Sequence, residues 1–140
     1  MREFNWDLPK QTLMVNREIG QNGDCWRCCI AALMQMPALE LPHFLQLAND
    51  EGTHDCDQRT QAWLNERNHI LIETDRITLP AHYKLRPKLP YIACGPTQRS
   101  RSMGQHHAVI MIADQLMYDP HPDNTGLTAV IDRYLVMPMP

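Results

Sequence analysis

The chain changes its hydrophobic period once, and that single change limits the fold more than any other feature. From Asp24 the apolar residues recur at helical spacing, with Trp26, Ile30, Leu33 and Met34 on one face, Cys29 and Met36 flanking it, and Pro37 ending the run. A second helix is expected from Leu41-Pro42 through Phe44, Leu45 and Leu47, since proline fits a first helical turn. A third is expected over 57–68 around Trp63 and Leu64. Beyond it the runs become short: His69 to Glu73, Tyr91 to Cys94, His107 to Ile112, Leu116 to Asp119 and Val130 to Met137 predict strands. Helices first and strands after imply an α+β domain, its mainly antiparallel sheet covered by helices on one side. Residues 1–22 carry Pro9, Asn16 and Gly20 without periodicity and are expected as an extended lead-in with one short strand near Thr12 to Val15. The proline-rich stretch from Leu79 to Pro90 reads as an ordered connection with several turns.

A chain of 140 residues with 44% hydrophobic content suits a single domain over 1–140. No apolar run reaches the roughly 18 residues of a membrane span, and Met1 to Trp6 leads into no apolar stretch of an export signal. The formal charge of −3, with basic residues spread along the chain, points to no general nucleic-acid binding and no membrane partner. Five cysteines, three of them crowded at 25, 28 and 29, argue against a disulfide framework and for reduced thiols. A soluble, cytoplasmic protein is expected.

Three residues then line up in different local settings: Cys25 opening a helix, His107 opening a strand and Asp119 ending the next strand. Thiol catalysis needs a thiolate, which a helix N-terminus and a neighbouring imidazolium both stabilise. The base in turn needs an acceptor on its far ring nitrogen to fix its tautomer, the part Asp119 would play. Asp24 is expected as the N-cap, its side chain accepting from the first helical turn.

These residues resemble the papain-like cysteine peptidases. Gly23-Asp24-Cys25-Trp26 is similar to the opening of the papain catalytic helix, and Asp24-Cys25 to the aspartate-cysteine pair of C39 leader peptidases. His107-Ala108-Val109 matches the surroundings of the papain-type base, and Asp119-Pro120 is similar to the aspartate-proline of C39-like enzymes. In size the chain is similar to the small bacterial and phage-borne members. The resemblance implies a thiol hydrolase acting on a peptide, isopeptide or amide bond, with a peptide or protein substrate, no cofactor, and Cys25, His107 and Asp119 as the triad. Two departures stand out. Ile19 occupies the place of the family's oxyanion-stabilising glutamine, so the role passes to Gln21, and Trp26 replaces the glycine that follows the C39 cysteine. Asp24, Trp26, Arg99, Arg101, His106 and His121 are the candidate substrate contacts.

Alternatives stand beside this reading. The domain is also compatible with an inactive binding module of the same fold, or with an acyltransferase that replaces water by an amine. Cys25-x-x-Cys28 has knuckle spacing, with Cys56, His54, His106, His107 and His121 as further ligands, but a second matching pair is missing and no metal is expected. Cys28, Cys29 and Cys94 read as core. Strand periodicity does not choose between His106 and His107 as base; the motif match chooses His107. The polar segment Gly95 to Gln105 is either a solvated loop or the place where Arg99 or Arg101 meets an acidic substrate or partner.

Overall fold

The computed structural model describes residues 3–74, 89–99 and 106–140. Three helices, α1 (Cys25–Met34), α2 (Phe44–Asp50) and α3 (Cys56–Asn65), precede β1 (His69–Glu73), β2 (Tyr91–Gly95), β3 (His107–Ile112), β4 (Gln115–Tyr118) and β5 (Asp132–Pro138). The strands form one antiparallel sheet in the order β1-β5-β2-β3-β4, so β5 lies between β1 and β2. The α+β class and the helix-then-strand order are as the periodicity implied. Most of the connection between β1 and β2, Arg101 and the end of the loop before β3 lie outside the described residues.

Helix α1 is the centre of the core rather than a one-faced surface helix. Every residue from Trp26 to Met34 is buried, Arg27 included. It packs against β3 and α3 packs against β1, while Ala108 and Ile110 of β3 join α1 in the main apolar cluster. Trp26 stacks edge-on against Tyr134 of β5 at 5.0 Å and donates its indole N–H to Thr60 Oγ1 at 3.0 Å, tying α1 to both the sheet and α3.

Two boundaries differ from expectation for local reasons. Helix α2 begins at Phe44 because the His43 ring Nδ1 accepts the Gln46 N–H at 3.3 Å and serves as its cap; a 3-10 turn over Ala38–Glu40 precedes Pro42 instead. Residues 12–15 make no strand, and only Asn16 and Gln21 form an isolated antiparallel bridge. The lead-in is fixed by other means: Gln11 N–H donates to Pro120 O at 2.7 Å, Lys10 Nζ to Asp119 O at 2.6 Å, and Leu13 N–H to Asp24 Oδ1 at 3.2 Å. It therefore bridges the start of α1 and the end of β4.

Hairpin β3–β4 turns through Ala113 and Asp114, with Ala113 at φ 52° and its carbonyl accepting from the Tyr91 hydroxyl at 2.6 Å. At the other end of β3, His107 pairs with Gly95. A Cβ on Gly95 would lie 2.0 Å from Ala129 O, so only glycine lets the chain before β5 cross the edge of β2 there.

Candidate functional site

Cys25 is the first residue of α1, where the backbone N–H groups have no intrahelical acceptor. The Asp24 side chain makes no cap bond, contrary to expectation. Its carboxylate, 1% exposed, accepts from Leu13 N–H and forms a 2.6 Å ion pair with Arg27 Nη2. A buried guanidinium one turn along the helix outcompetes the local amides for that charge. The helix start is thus left open towards the cleft.

His107 lies at the head of β3, and its side chain lines the same cleft as Cys25. Its Nε2 lies 2.6 Å from Asp119 Oδ1. An ionised carboxylate only accepts, so Nε2 carries the proton and Nδ1 is the ring atom left for the thiol. Asp119 is fully buried, and three donors hold its carboxylate: His107 and the His121 N–H on Oδ1, the latter at 2.9 Å, and the Gly126 N–H on Oδ2 at 2.8 Å. Burial would raise its pKa, but these bonds and the nearby imidazole hold it below the usual carboxylate value. Burial would likewise depress His107; the bonds and charges of Asp119 and Cys25 outweigh it and push the imidazole up to about 9. The result is an imidazole that readily holds a proton beside a sulfur at a helix start.

These three side chains come together as the sequence suggested. His106 is exposed while His107 is buried, which separates the two histidines. All four residues from His107 to Ile110 are buried, so alternation along β3 carried no information on which histidine turns inward.

The surrounding cleft has a volume of about 370 Å³, and Arg99, His106 and His121 line it as expected. Asp24 and Trp26 do not, since both are buried in packing roles of their own. Gln21 also fails to reach the cleft: its Nε2 donates to Met14 O at 2.6 Å and closes the turn between them. Two amide residues do line the cleft: Asn22, whose Oδ1 accepts from Asn49 Nδ2 at 2.9 Å, and Gln11. Its Nε2 spends one N–H on Leu13 O at 2.8 Å, and its buried Oε1 has no partner. A Cβ on Gly23 would sit 3.2 Å from Gln11 Nε2, so the absence of a side chain there leaves room for the amide against Gly23. Gln11, Met14 and Val15 were missed because the lead-in has no periodicity; the docking bonds of Lys10, Gln11 and Leu13 bring them in.

The other cysteines differ from Cys25 in setting. Cys28 and Cys29 are buried, and Cys94 is half-buried against the core cluster. Burial, reinforced by Asp24, pushes the Cys28 thiol up to about 12; burial with Asp57 does the same for Cys56, and burial raises Cys29 well above the ordinary thiol value. Among the described residues, no three His, Cys, Asp or Glu side chains are grouped to hold a metal ion, and no helix is long and apolar enough to cross a membrane. Compared with known proteins, the chain matches no family model, no curated protein and no solved structure.

Proposed function

We propose that the chain is a papain-like cysteine hydrolase that cleaves a peptide, isopeptide or amide bond through an acyl-enzyme on Cys25. The observation that supports this best is the His107 imidazole, bonded at Nε2 to the buried Asp119 carboxylate and lining the same cleft as Cys25 at the start of α1. His107 takes the thiol proton, and the thiolate sulfur adds to the substrate carbonyl carbon. The resulting oxyanion meets the Cys25 N–H and the second N–H of Gln11 Nε2. The carbonyl re-forms as the carbon–nitrogen bond breaks, and His107 delivers its proton to the leaving amine. Water, deprotonated by His107, then attacks the thioester, and the carboxylic acid leaves with Cys25 restored. Asp119 keeps Nδ1 turned to the sulfur throughout and stabilises the imidazolium. Five free thiols suit a reducing compartment such as the cytoplasm.

Incubation with a peptide and amide library tests the reading. Turnover, a thioester adduct of Cys25 seen by mass spectrometry, and loss of both in Cys25→Ser are expected. Substrate retained by both proteins without turnover would instead indicate a binding module, and amide products formed on adding amines would indicate an acyltransferase. In a parallel measurement, iodoacetamide at mildly acidic pH labels Cys25 far faster than Cys28, Cys29, Cys56 or Cys94, and His107→Ala shrinks that advantage whereas His106→Ala does not. Equal labelling of all five thiols would sink the assignment of the nucleophile.

A further inference from the structure

The cleft is built from two kinds of surface. The lead-in and α2 contribute Met14, Val15 and Leu45, and Val15 is 44% exposed, unusual for a β-branched apolar residue on a fixed segment. The segment after β2 and the loop after β4 contribute Arg99 and His121, with His106 and His107 beside them. No aspartate or glutamate is among the described residues that line the cleft. Four basic side chains line the opening, and carboxylates outside the lining, Asp119 and Asp123, pair with two of them, His107 and Arg99.

Arg99 is the permanent charge in this set, and its position is fixed. Its Nη1 donates to Asp123 Oδ2 and, at 3.1 Å, to Thr125 Oγ1. Asp123 is itself tied down, its Oδ1 accepting the Thr125 N–H at 3.1 Å and the Thr125 hydroxyl at 3.0 Å. Both Arg99 bonds fall on one nitrogen. The other edge of the guanidinium, Nε with Nη2, has the spacing that receives a carboxylate through two parallel bonds. An arginine already held by its partners also loses less side-chain entropy on binding than a free one.

We propose that Arg99 selects substrates carrying a carboxylate close to the scissile carbonyl, an acidic side chain or chain end, while Met14, Val15 and Leu45 receive an apolar group of the same substrate. This rests on Cys25 being the nucleophile, and the test separates the two ideas. Iodoacetate and iodoacetamide both alkylate a thiolate, sulfur displacing iodide, but only iodoacetate places a carboxylate beside the reacting carbon. The ratio of their rate constants at Cys25, read by mass spectrometry, is compared between wild type and Arg99→Gln. The ratio is expected to fall about three- to tenfold in Arg99→Gln, to lie between the two in Arg99→Lys, and to fall towards the Arg99→Gln value when wild type is measured in molar salt. Peptide pairs differing only by glutamate or glutamine near the cleaved bond should show the same Arg99-dependent preference in kcat/KM. A ratio unchanged by Arg99→Gln, with Cys25 still selectively labelled, overturns the role of Arg99 and leaves the nucleophile standing. Failure of both reagents to select Cys25 overturns the nucleophile and the proposal with it.

Discussion

Among the described residues two aspartates are buried, one at each end of the docked lead-in, and their surroundings differ in kind. Asp24 and Asp119 are 1% and 0% exposed, and both help to hold the lead-in, Asp24 through its carboxylate to Leu13 and Asp119 through its carbonyl to Lys10. The difference lies in the cation each faces. Asp24 is paired with Arg27, a guanidinium with no acceptor lone pair to take up a proton, itself buried in α1. Asp119 is paired with His107, an imidazole that can gain or lose a proton and that shares a cleft with Cys25. Burial alone therefore does not identify a functional carboxylate; the ability of its partner to change charge at the edge of a cleft does.

The strongest way to break that comparison is Asp119→Asn. Turnover is expected to fall about a thousand- to ten-thousand-fold while the fold survives, because the amide no longer fixes the imidazole tautomer. Asp123→Asn, on the exposed side of the same loop, should cost less than tenfold on a neutral substrate. Equal activity of the two variants in a peptide-cleavage assay would make Asp119 a structural residue like Asp24.

Asp24→Ala should instead appear in the unfolding curve. It strands the Arg27 guanidinium and the Leu13 N–H, for an expected loss of about 3–5 kcal/mol in urea denaturation. Adding Arg27→Met should recover part of that loss, since a well-packed apolar pair can replace a buried ion pair. If the double variant is less stable than Asp24→Ala alone, the pair is more than a packing device.

A third effect concerns pH. The Asp119 contribution to stability is complete above 3.8, the ordinary carboxylate value, and is lost as acid protonates the native group below it. The His107 contribution is complete below 6.5 and fades as the pH rises through about 9, because the native chain keeps a proton that the unfolded chain releases. Wild type should therefore lose about 1–3 kcal/mol relative to His107→Asn between pH 6 and pH 10. A flat difference would mean that His107 holds no extra proton in the native state.

The smallest expected effect is that of Gly23→Ala. The new methyl presses on Gln11 Nε2, and a displacement of a few tenths of an ångström should lower kcat several-fold with little change in KM or stability. Unchanged kcat would remove Gln11 from the oxyanion site.

The meeting of Cys25, His107 and Asp119 was legible in the sequence because each sits in a short local motif at the boundary of a regular element. Gln11 was not, because its place depends on bonds to Pro120 and Leu13 that no local pattern encodes. Gln21 looked suitable by proximity to Cys25, yet a nearer carbonyl on Met14 consumes its donor. The same contrast applies to α1. Periodicity found the helix but assigned it one apolar face, because the burial of Arg27 is made tolerable by a partner outside the helix, Asp24. Local propensity decides which elements exist; polar bonds between distant segments decide which of their side chains meet.

The position of β5 has a consequence for the time at which a reactive thiol could exist in a growing chain. A ribosome delivers Cys25 early, while the base and its carboxylate follow much later, and the strand that joins β1 to β2 follows later still. Until that strand emerges, β1 and the β2–β3–β4 half lack the strand that pairs with both. A nascent chain of this kind would hold Cys25 apart from His107 and Asp119 for most of its synthesis, beside the ribosome's other products, and would complete its sheet later still.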